Sequence, residues 1–396
     1  MTDRTDQEGQ PMNRSTSGFA TRAIHAGQEP DATTGAVTPP IHQTSTFVQD
    51  GVGGLRNGYE YGRAGNPTRV ALETQAAALE SGAHGIAFAS GLAAEDALLR
   101  AVLRPGDRVV IGNDAYGGTH RLLQRLHVPA GIELATVDLA DLPAVEAQLQ
   151  RGPVRLLWVE TPSNPLMKIV DIAALSRAAS ASDTLLVVDN TFATPALQQP
   201  LALGAQVVVH SATKYLGGHS DALGGLVITN DDALAESVRF LQFAAGGVLA
   251  PFEAWLITRG IKTLQVRMDR QSASAAEIAE HLRDHPAIAR VHYPGLPDHP
   301  GHDVAARQMF GGFGGMLSVS VAGGAERALR LAERTRLFTL AESLGGVESL
   351  IEYPSEMTHA SVRGTPLAVA DDIVRLSVGL EDVADLLEDL DTALAG

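Results

Sequence analysis

From about residue 68 the chain alternates short apolar runs with amphipathic stretches. The runs are GIAFAS (85–90), DRVVIGND (107–114), IELATVD (132–138), RLLWVE (155–160), LLVVDN (185–190), QVVVHS (206–211) and GLVIT (225–229). None of them alternates apolar with polar positions, so each reads as a strand covered on both faces. Ala- and Leu-rich segments such as NPTRVALETQAAALES and LPAVEAQLQ lie between them and read as helices. Strands separated by helices predict an α/β fold with a mostly parallel seven-stranded sheet. After residue 258 the texture changes. A long helical stretch, IKTLQVRMDRQSASAAEIAEHLRDHP, leads to separated strand candidates at 289–293, 316–321 and 373–378. Residues 259–396 therefore read as a smaller C-terminal α+β domain, and 63–258 as the main sheet domain. Residues 19–62 are rich in Pro, Gly, Thr and aromatics and show little helix or strand period, so they read as an extended arm reaching a neighbouring subunit. Residues 1–18 read as a disordered tail.

Composition narrows the classes. The chain has 396 residues, of which 45% are hydrophobic and 19% charged, proportions of a globular protein rather than a disordered one. The formal charge of −16 argues against a nucleic-acid partner, because such binding draws on excess Lys and Arg. There is no cysteine, which excludes disulfides, thiolate catalysis and cysteine-ligated metals. The polar N-terminus lacks the apolar core of a secretory signal, and no apolar run approaches the roughly 20 residues of a membrane span. The expectation is a cytoplasmic protein with no membrane partner.

In sheets of this kind ligands bind beyond the carboxyl ends of the strands. Ser90, Asp114, Glu160, Asp189 and Ser211 lie at or next to the ends of five of the runs, so a single site is expected there. Lys214 follows just after VVVHS, where a lysine is costly to bury unpaired. It suits either a solvated loop or a reactive, uncharged amine. Asp189 either caps the following turn or faces a cationic ring. Ser90 and Gly91 precede a periodic helix, which gives an ordinary N-cap or an anion cradle. Tyr116, in NDAYGGTHR, is a packing residue or a ring-stacking one. Taken jointly, these residues match the needs of pyridoxal phosphate (PLP): an attaching amine, an anion at the ring nitrogen, a phosphate cradle and a stacking partner. Ser211 and Thr213 add hydroxyl donors. Rival motifs fail. GGFGGM (311–316) lacks the following helix and the spacing of a dinucleotide fingerprint, and no phosphate-binding loop with G-K-S/T is present. His210 and His219 lack a helical i, i+4 register, so no metal site is expected.

The motifs SATKYLGGHSD, VDNTF, AYGGTHR, YEYGRAGNPT, ETPSNP, LAESLGGVESLIEYPSEMTHAS and VRLSVGLED together resemble the Cys/Met-metabolism PLP-dependent enzymes of transsulfuration. The resemblance spans about residues 19–394. It implies a fold-type I PLP architecture, with 63–258 as the PLP-binding domain, and a homotetramer of active dimers. It implies that Lys214 is the cofactor-attaching lysine and proton carrier, Asp189 the partner of the ring nitrogen and Tyr116 the stacking and acid/base residue. Ser90, Gly91, Leu92, Thr191, Ser211 and Thr213 become cofactor ligands, with Tyr61 and Arg63 reaching the phosphate from a neighbouring subunit. Arg375 becomes the clamp for the α-carboxylate of an amino-acid substrate, assisted by Asn164 and Ser343, with Glu342 and Glu60 bearing on substrate choice. Gly118, where methionine γ-lyases tend to carry cysteine, disfavours that activity. The acid at 342 favours γ-chemistry over β-elimination. The expected reaction is the α,γ-elimination of L-cystathionine to L-cysteine, 2-oxobutanoate and ammonia. The alternative is γ-replacement, in which L-cysteine displaces the acyl group of an O-succinyl- or O-acetyl-L-homoserine. A non-catalytic protein on the same scaffold would be expected to lack Lys214 or Asp189, and both are present.

Overall fold

The computed structural model describes residues 17–395, apart from 361, 362, 365 and 366. Most of the predicted tail and Ser361 of the MTHAS motif lie outside the described residues.

All seven apolar runs form strands of one sheet: β1 (His84–Phe88), β2 (Arg108–Gly112), β3 (Glu133–Val137), β4 (Leu156–Glu160), β5 (Leu185–Asp189), β6 (Val207–Ser211) and β7 (Gly225–Thr229). Their order is β1-β7-β6-β5-β4-β2-β3. Strand β7 runs antiparallel to both neighbours, and every other pairing is parallel. Every residue of β2, β4 and β7 is buried, which is why these strands carry no alternation.

Helices cover both faces. In the first half these are α1 (Phe19–His25), α2 (Pro67–Leu79), α3 (Gly91–Val102), α4 (Gly117–Leu122), α5 (Leu142–Gln150), α6 (Ile172–Ser180) and the single turn α7 (Thr194–Leu197). One core packs α3 against Ile86, Ile111, Trp158 and Val209. Another fills the opposite face with Val110, Leu157, Val188, Val145 and Leu175. The starts are set locally. Asn66 caps α2, Ser90 caps α3, and Asp141 and Asp171 cap α5 and α6, each side chain accepting from a backbone N–H of the first turn.

The second half holds α8 (Asp232–Ala245), α9 (Pro251–Ile261) and α10 (Leu264–Arg283). It continues with β8 (Ile288–His292), α11 (His302–Gln308), β9 (Met316–Val321), α12 (Ala325–Arg334), β10 (Thr339–Leu340), β11 (Leu350–Glu352), β12 (Ile373–Ser377) and α13 (Val383–Ala395). The five strands form a second sheet in the order β10-β11-β12-β9-β8. The domain boundary expected at 258 falls inside α9. The long helix α10 is shared: Leu264 and Met268 pack into a core beside the first sheet, and Ala275, Ile278, Ala279 and Leu282 into the core of the second.

The arm differs from expectation at its start. Residues 19–25 form a helix, with Ala23 buried. Beyond it the segment is held by turns and isolated bridges such as Thr46 to Tyr61, and Val37, Val48 and Val52 are exposed.

Candidate active site

The carboxyl ends of β4, β5 and β6 face the start of α3 across a cavity of about 350 Å³. Ser90, Gly91, Leu92, Tyr116, Asn164, Asp189, Thr191, Ser211, Thr213, Lys214, Glu342, Ser343 and Arg375 all line it. Thirteen residues predicted from positions 90 to 375 thus meet in one place. Glu60, Tyr61 and Arg63 are exposed and do not line it. The Arg63 guanidinium instead lies 4.8 Å from the Phe243 ring and 5.7 Å from that of Tyr61. Asp114, expected to converge with the others, is turned away. Its carboxylate bonds the Ser163 hydroxyl and lies 3.9 Å from Lys168 Nζ.

The sequence holds three lysines, Lys168, Lys214 and Lys262. Lys168 Nζ donates to Asn113 and Asp138, at 3.0 and 3.3 Å, whereas Lys214 Nζ donates to the Ser343 hydroxyl at 2.9 Å. Ser343 is held at φ +99°, a region costly for a residue with a Cβ, and this turn brings its side chain to the amine. Burial and the positive charge of Arg375 push the Lys214 pKa down to about 8, against the carboxylates of Glu352 and Glu342. About a tenth of the amine is then uncharged at pH 7, several hundred times the fraction of an ordinary lysine. Acylation of Lys214 in the cofactor-free protein is therefore expected to rise with pH and level off above about pH 8, as read by peptide mass spectrometry. A rate still climbing at pH 10 would contradict this microenvironment.

Asp189 ends β5 and accepts the Thr191 N–H at 2.9 Å, while the Thr191 hydroxyl accepts the Ser211 N–H at 2.8 Å. Burial raises the Asp189 pKa, opposed by Thr191 and by His210. His210 bonds Glu80 at 2.6 Å in a buried pair behind the sheet. At the start of α3, the Ser90 hydroxyl accepts from Ala93 N. The N–H groups of Gly91 and Leu92 have no partner within the helix and border the cavity. A Cβ on Gly91 would come 3.1 Å from Ser211 Cβ, so glycine is what lets these two walls close up. The Thr213 hydroxyl exchanges bonds with the backbone of Gly224.

Tyr116 precedes α4, and burial raises its pKa, with Glu95 adding to the effect. A Cβ at Gly118 would fall 2.3 Å from Tyr116 Cε1, so the ring lies on the bare glycine. Gly118→Ala must displace that ring. PLP affinity in that variant is expected to fall up to about tenfold, the worth of one ring contact, with the melting temperature of the cofactor-free protein little changed. Fluorescence titration with PLP reads the difference.

Two carboxylates act as positioning groups: Glu160, expected at the site from its strand end, and Glu352, which escapes sequence reasoning. Glu160 accepts the backbone N–H groups of Tyr116 and Asn164, at 2.8 and 2.9 Å, and so ties two site loops to the end of β4. Glu352 lies directly opposite Arg375 in the β11–β12 register and bonds Nη2 of that arginine. Arg375 also donates to Asn164 Oδ1 at 2.9 Å and to the Ser343 carbonyl at 2.8 Å. Its Nε is buried without a partner, and the side chain is 2% exposed. Glu352 also bonds Thr358, which approaches His359 Nδ1 at 2.9 Å, and His359 Nε2 reaches the Asn164 carbonyl at 3.1 Å. Burial and then Arg375 lower the His359 pKa to about 4, so this imidazole is neutral in the network. An acid and a base standing alone in two apolar segments, LIE and IVRLS, are the signal that reveals the pair.

The donor set fits PLP. An amine of lowered pKa, a buried carboxylate, free helix N-terminal N–H groups and a glycine-floored aromatic ring surround one cavity, and the orphaned Nε of Arg375 offers a further donor there. Among the described residues no group of three or more His, Asp or Glu is placed to hold a metal ion, and no helix is long and apolar enough to cross a membrane.

Comparison with known proteins agrees. The chain is 58% identical to the cystathionine gamma-synthase of Mycobacterium tuberculosis over 392 residues, covering 99% of both chains. It is 50% identical to a cystathionine beta-lyase of Lactococcus lactis over 378 residues, 94% of this chain and 98% of the relative. The crystal structure of metB from Corynebacterium glutamicum superposes with a TM-score of 0.95 at 51% identity, over 97% of this chain and 99% of that one. The family model described as Cys/Met metabolism PLP-dependent enzyme matches residues 20–395. With this fold-type I sheet and this donor set, the chain belongs to the Cys/Met-metabolism PLP-dependent enzymes.

Proposed function

We propose that the protein catalyses γ-replacement, joining L-cysteine to an O-acyl-L-homoserine to give L-cystathionine and the free carboxylic acid. The observation that carries a proton-transfer role is Lys214: a partly neutral amine held 2.9 Å from Ser343, between the Asp189 and Arg375 ends of the cavity. The preference for replacement over the elimination expected from the motifs rests on the relative at 58% identity that carries the synthase name.

Bound here, PLP supplies an electron sink for negative charge developing on the substrate. Asp189 would keep the ring nitrogen protonated, and Tyr116 would stack on the ring. The N–H groups of Gly91 and Leu92, with Ser90, Thr191, Ser211 and Thr213, hold the phosphate end. Arg375 takes the α-carboxylate through its fork, aided by Asn164, a task suited to guanidinium geometry. Lys214 would take the proton from Cα, give it up and then take one from Cβ, and would return a proton to each carbon once the cysteine thiol has lost its own proton; Ser343 would steer it. The acyl oxygen departs from Cγ as the carboxylate, and the cysteine sulfur adds there. Glu342, at the cavity mouth, lies where the second substrate enters. Glu60, Tyr61 and Arg63 complete the site of a second copy within a homotetramer, which accounts for their distance from the cavity of their own chain. The α,γ-elimination of cystathionine uses the same proton positions and is the second reading.

Two incubations test the choice. With an O-acyl-homoserine and cysteine, cystathionine is expected to form. With cystathionine alone, 2-oxobutanoate is expected to form more slowly. The reverse order of rates would assign the protein to elimination.

A further inference from the structure

Glu95 lies one helical turn beyond Gly91 on α3, on the face turned to the cavity, and lines it. Its side chain is among the most enclosed in the site, the residue being 3% exposed, and its Oε2 is buried without a hydrogen-bond partner. Among the described residues no Lys, Arg or His lies within ion-pair distance of it. The groups that face it are Asp189 from the end of β5, Glu160 from the end of β4, and Tyr116 and Thr119 from the start of α4. The buried Thr119 hydroxyl lies against the Glu95 carboxyl and, among the described residues, is the one polar side chain that favours its anion.

Three buried carboxyls thus share one wall, and they are not equivalent. Burial and then the Asp189 carboxylate raise the Glu160 pKa as well, but Glu160 accepts two backbone N–H groups, which favour its anion and oppose that rise. Asp189 accepts the Thr191 N–H and feels the positive side of His210. Glu95 has neither aid. Like charges so close do not all ionise, and the proton settles where the anion is least supported. Burial, and then the Asp189 carboxylate, raise the Glu95 pKa well above the ordinary range, against a smaller opposing effect of Thr119.

We propose that Glu95 is a positioning residue of this site, a carboxyl that keeps its proton beside Asp189 so that the pair presents one negative charge, not two, to the cofactor end of the cavity. This rests on the reading above that Asp189 faces the ring nitrogen. A neutral Glu95 leaves Asp189 as the one acceptor for the ring proton, and its own O–H is free to donate to that carboxylate.

Infrared spectroscopy of the cofactor-free protein at neutral pH tests this through the carbonyl stretch of a protonated carboxylic acid. The band is expected in the natural protein, to be lost in Glu95→Gln, and to persist in Glu160→Gln. A band unchanged in Glu95→Gln overturns the proposal. Should Glu95→Gln fail to fold, Asp189→Asn gives a second reading with Glu95 intact. Removing the neighbouring charge is expected to lower the pH at which the band disappears by about one unit, a tenfold loss of proton affinity. An unmoved midpoint overturns the proposal equally. Loading with PLP is then expected to shift the Glu95 band. A protonated Glu95 whose band PLP leaves untouched would contradict the assignment of Asp189 to the ring nitrogen, while leaving the Glu95 charge state established.

Discussion

Lys214→Ala is expected to lower turnover by at least about 10⁴-fold, the range of a lost general acid–base group, and by more because the attaching amine goes with it. The variant should fold. Among the described residues Lys214 makes no carboxylate ion pair and its amine bonds only the Ser343 hydroxyl, and burial already works against its charged form. The melting temperature of the cofactor-free variant is therefore expected to equal or exceed that of the natural protein. That result separates a chemical role from a structural one, since a lysine that merely braced the loop would lower stability when removed. Lys214→Arg provides the control. Its guanidinium retains charge and reach but does not give up a proton near neutrality, so activity stays lost. Activity within about tenfold of the natural protein in Lys214→Ala would remove Lys214 from the chemistry.

Arg375 gives the second large effect, and here stability and function both move. Replacing Arg375 by Leu strands Glu352, which is 1% exposed, in the core without its partner. Breaking a buried pair in this way costs about 3–5 kcal/mol. The double change Arg375→Leu with Glu352→Leu removes both charges, and stability is expected to return toward that of the natural protein. Substrate binding does not return with it, because the fork for the α-carboxylate is gone. Arg375→Lys keeps a charge but loses the paired donors, and KM is expected to rise by about 10- to 100-fold, the worth of one or two charge-assisted bonds. Urea unfolding and steady-state kinetics on the same three variants distinguish the two contributions. A double variant that is both stable and active would show that Arg375 serves only Glu352.

What was legible in the sequence follows from the range of the interactions involved. Most strands of the main sheet were readable because their cores are buried on both faces, so the apolar runs are continuous and their ends abrupt; the edge strand Glu133–Val137 is only partly buried. The short strands Thr339–Leu340 and Leu350–Glu352 were not, because they owe their conformation to partners elsewhere in the chain, such as Arg375–Ser377. The helix over 19–25 was missed because a single buried alanine, Ala23, anchors it. The site residues were readable as a set because the strand ends of an α/β sheet converge whatever their separation in sequence. Asp114 shows the limit of that rule, since a residue at a strand end is free to turn toward a neighbouring loop. Glu95 was hidden by its company. It stands beside Asp96, which pairs with Arg100 and His127 at the surface, and only the helical phase of Gly91, Leu98 and Val102 shows that Glu95 points inward. Glu60, Tyr61 and Arg63 lie outside the cavity of their own chain.

The central claim is that one amine of three is made easy to deprotonate for the cofactor aldehyde, with the site arranged around it. Borohydride reduction of the PLP-loaded protein fixes the cofactor to whichever lysine carries it, and peptide mass mapping locates it. The account predicts the added mass on Lys214 alone; mass on Lys168 or Lys262 with Lys214 unmodified would contradict it.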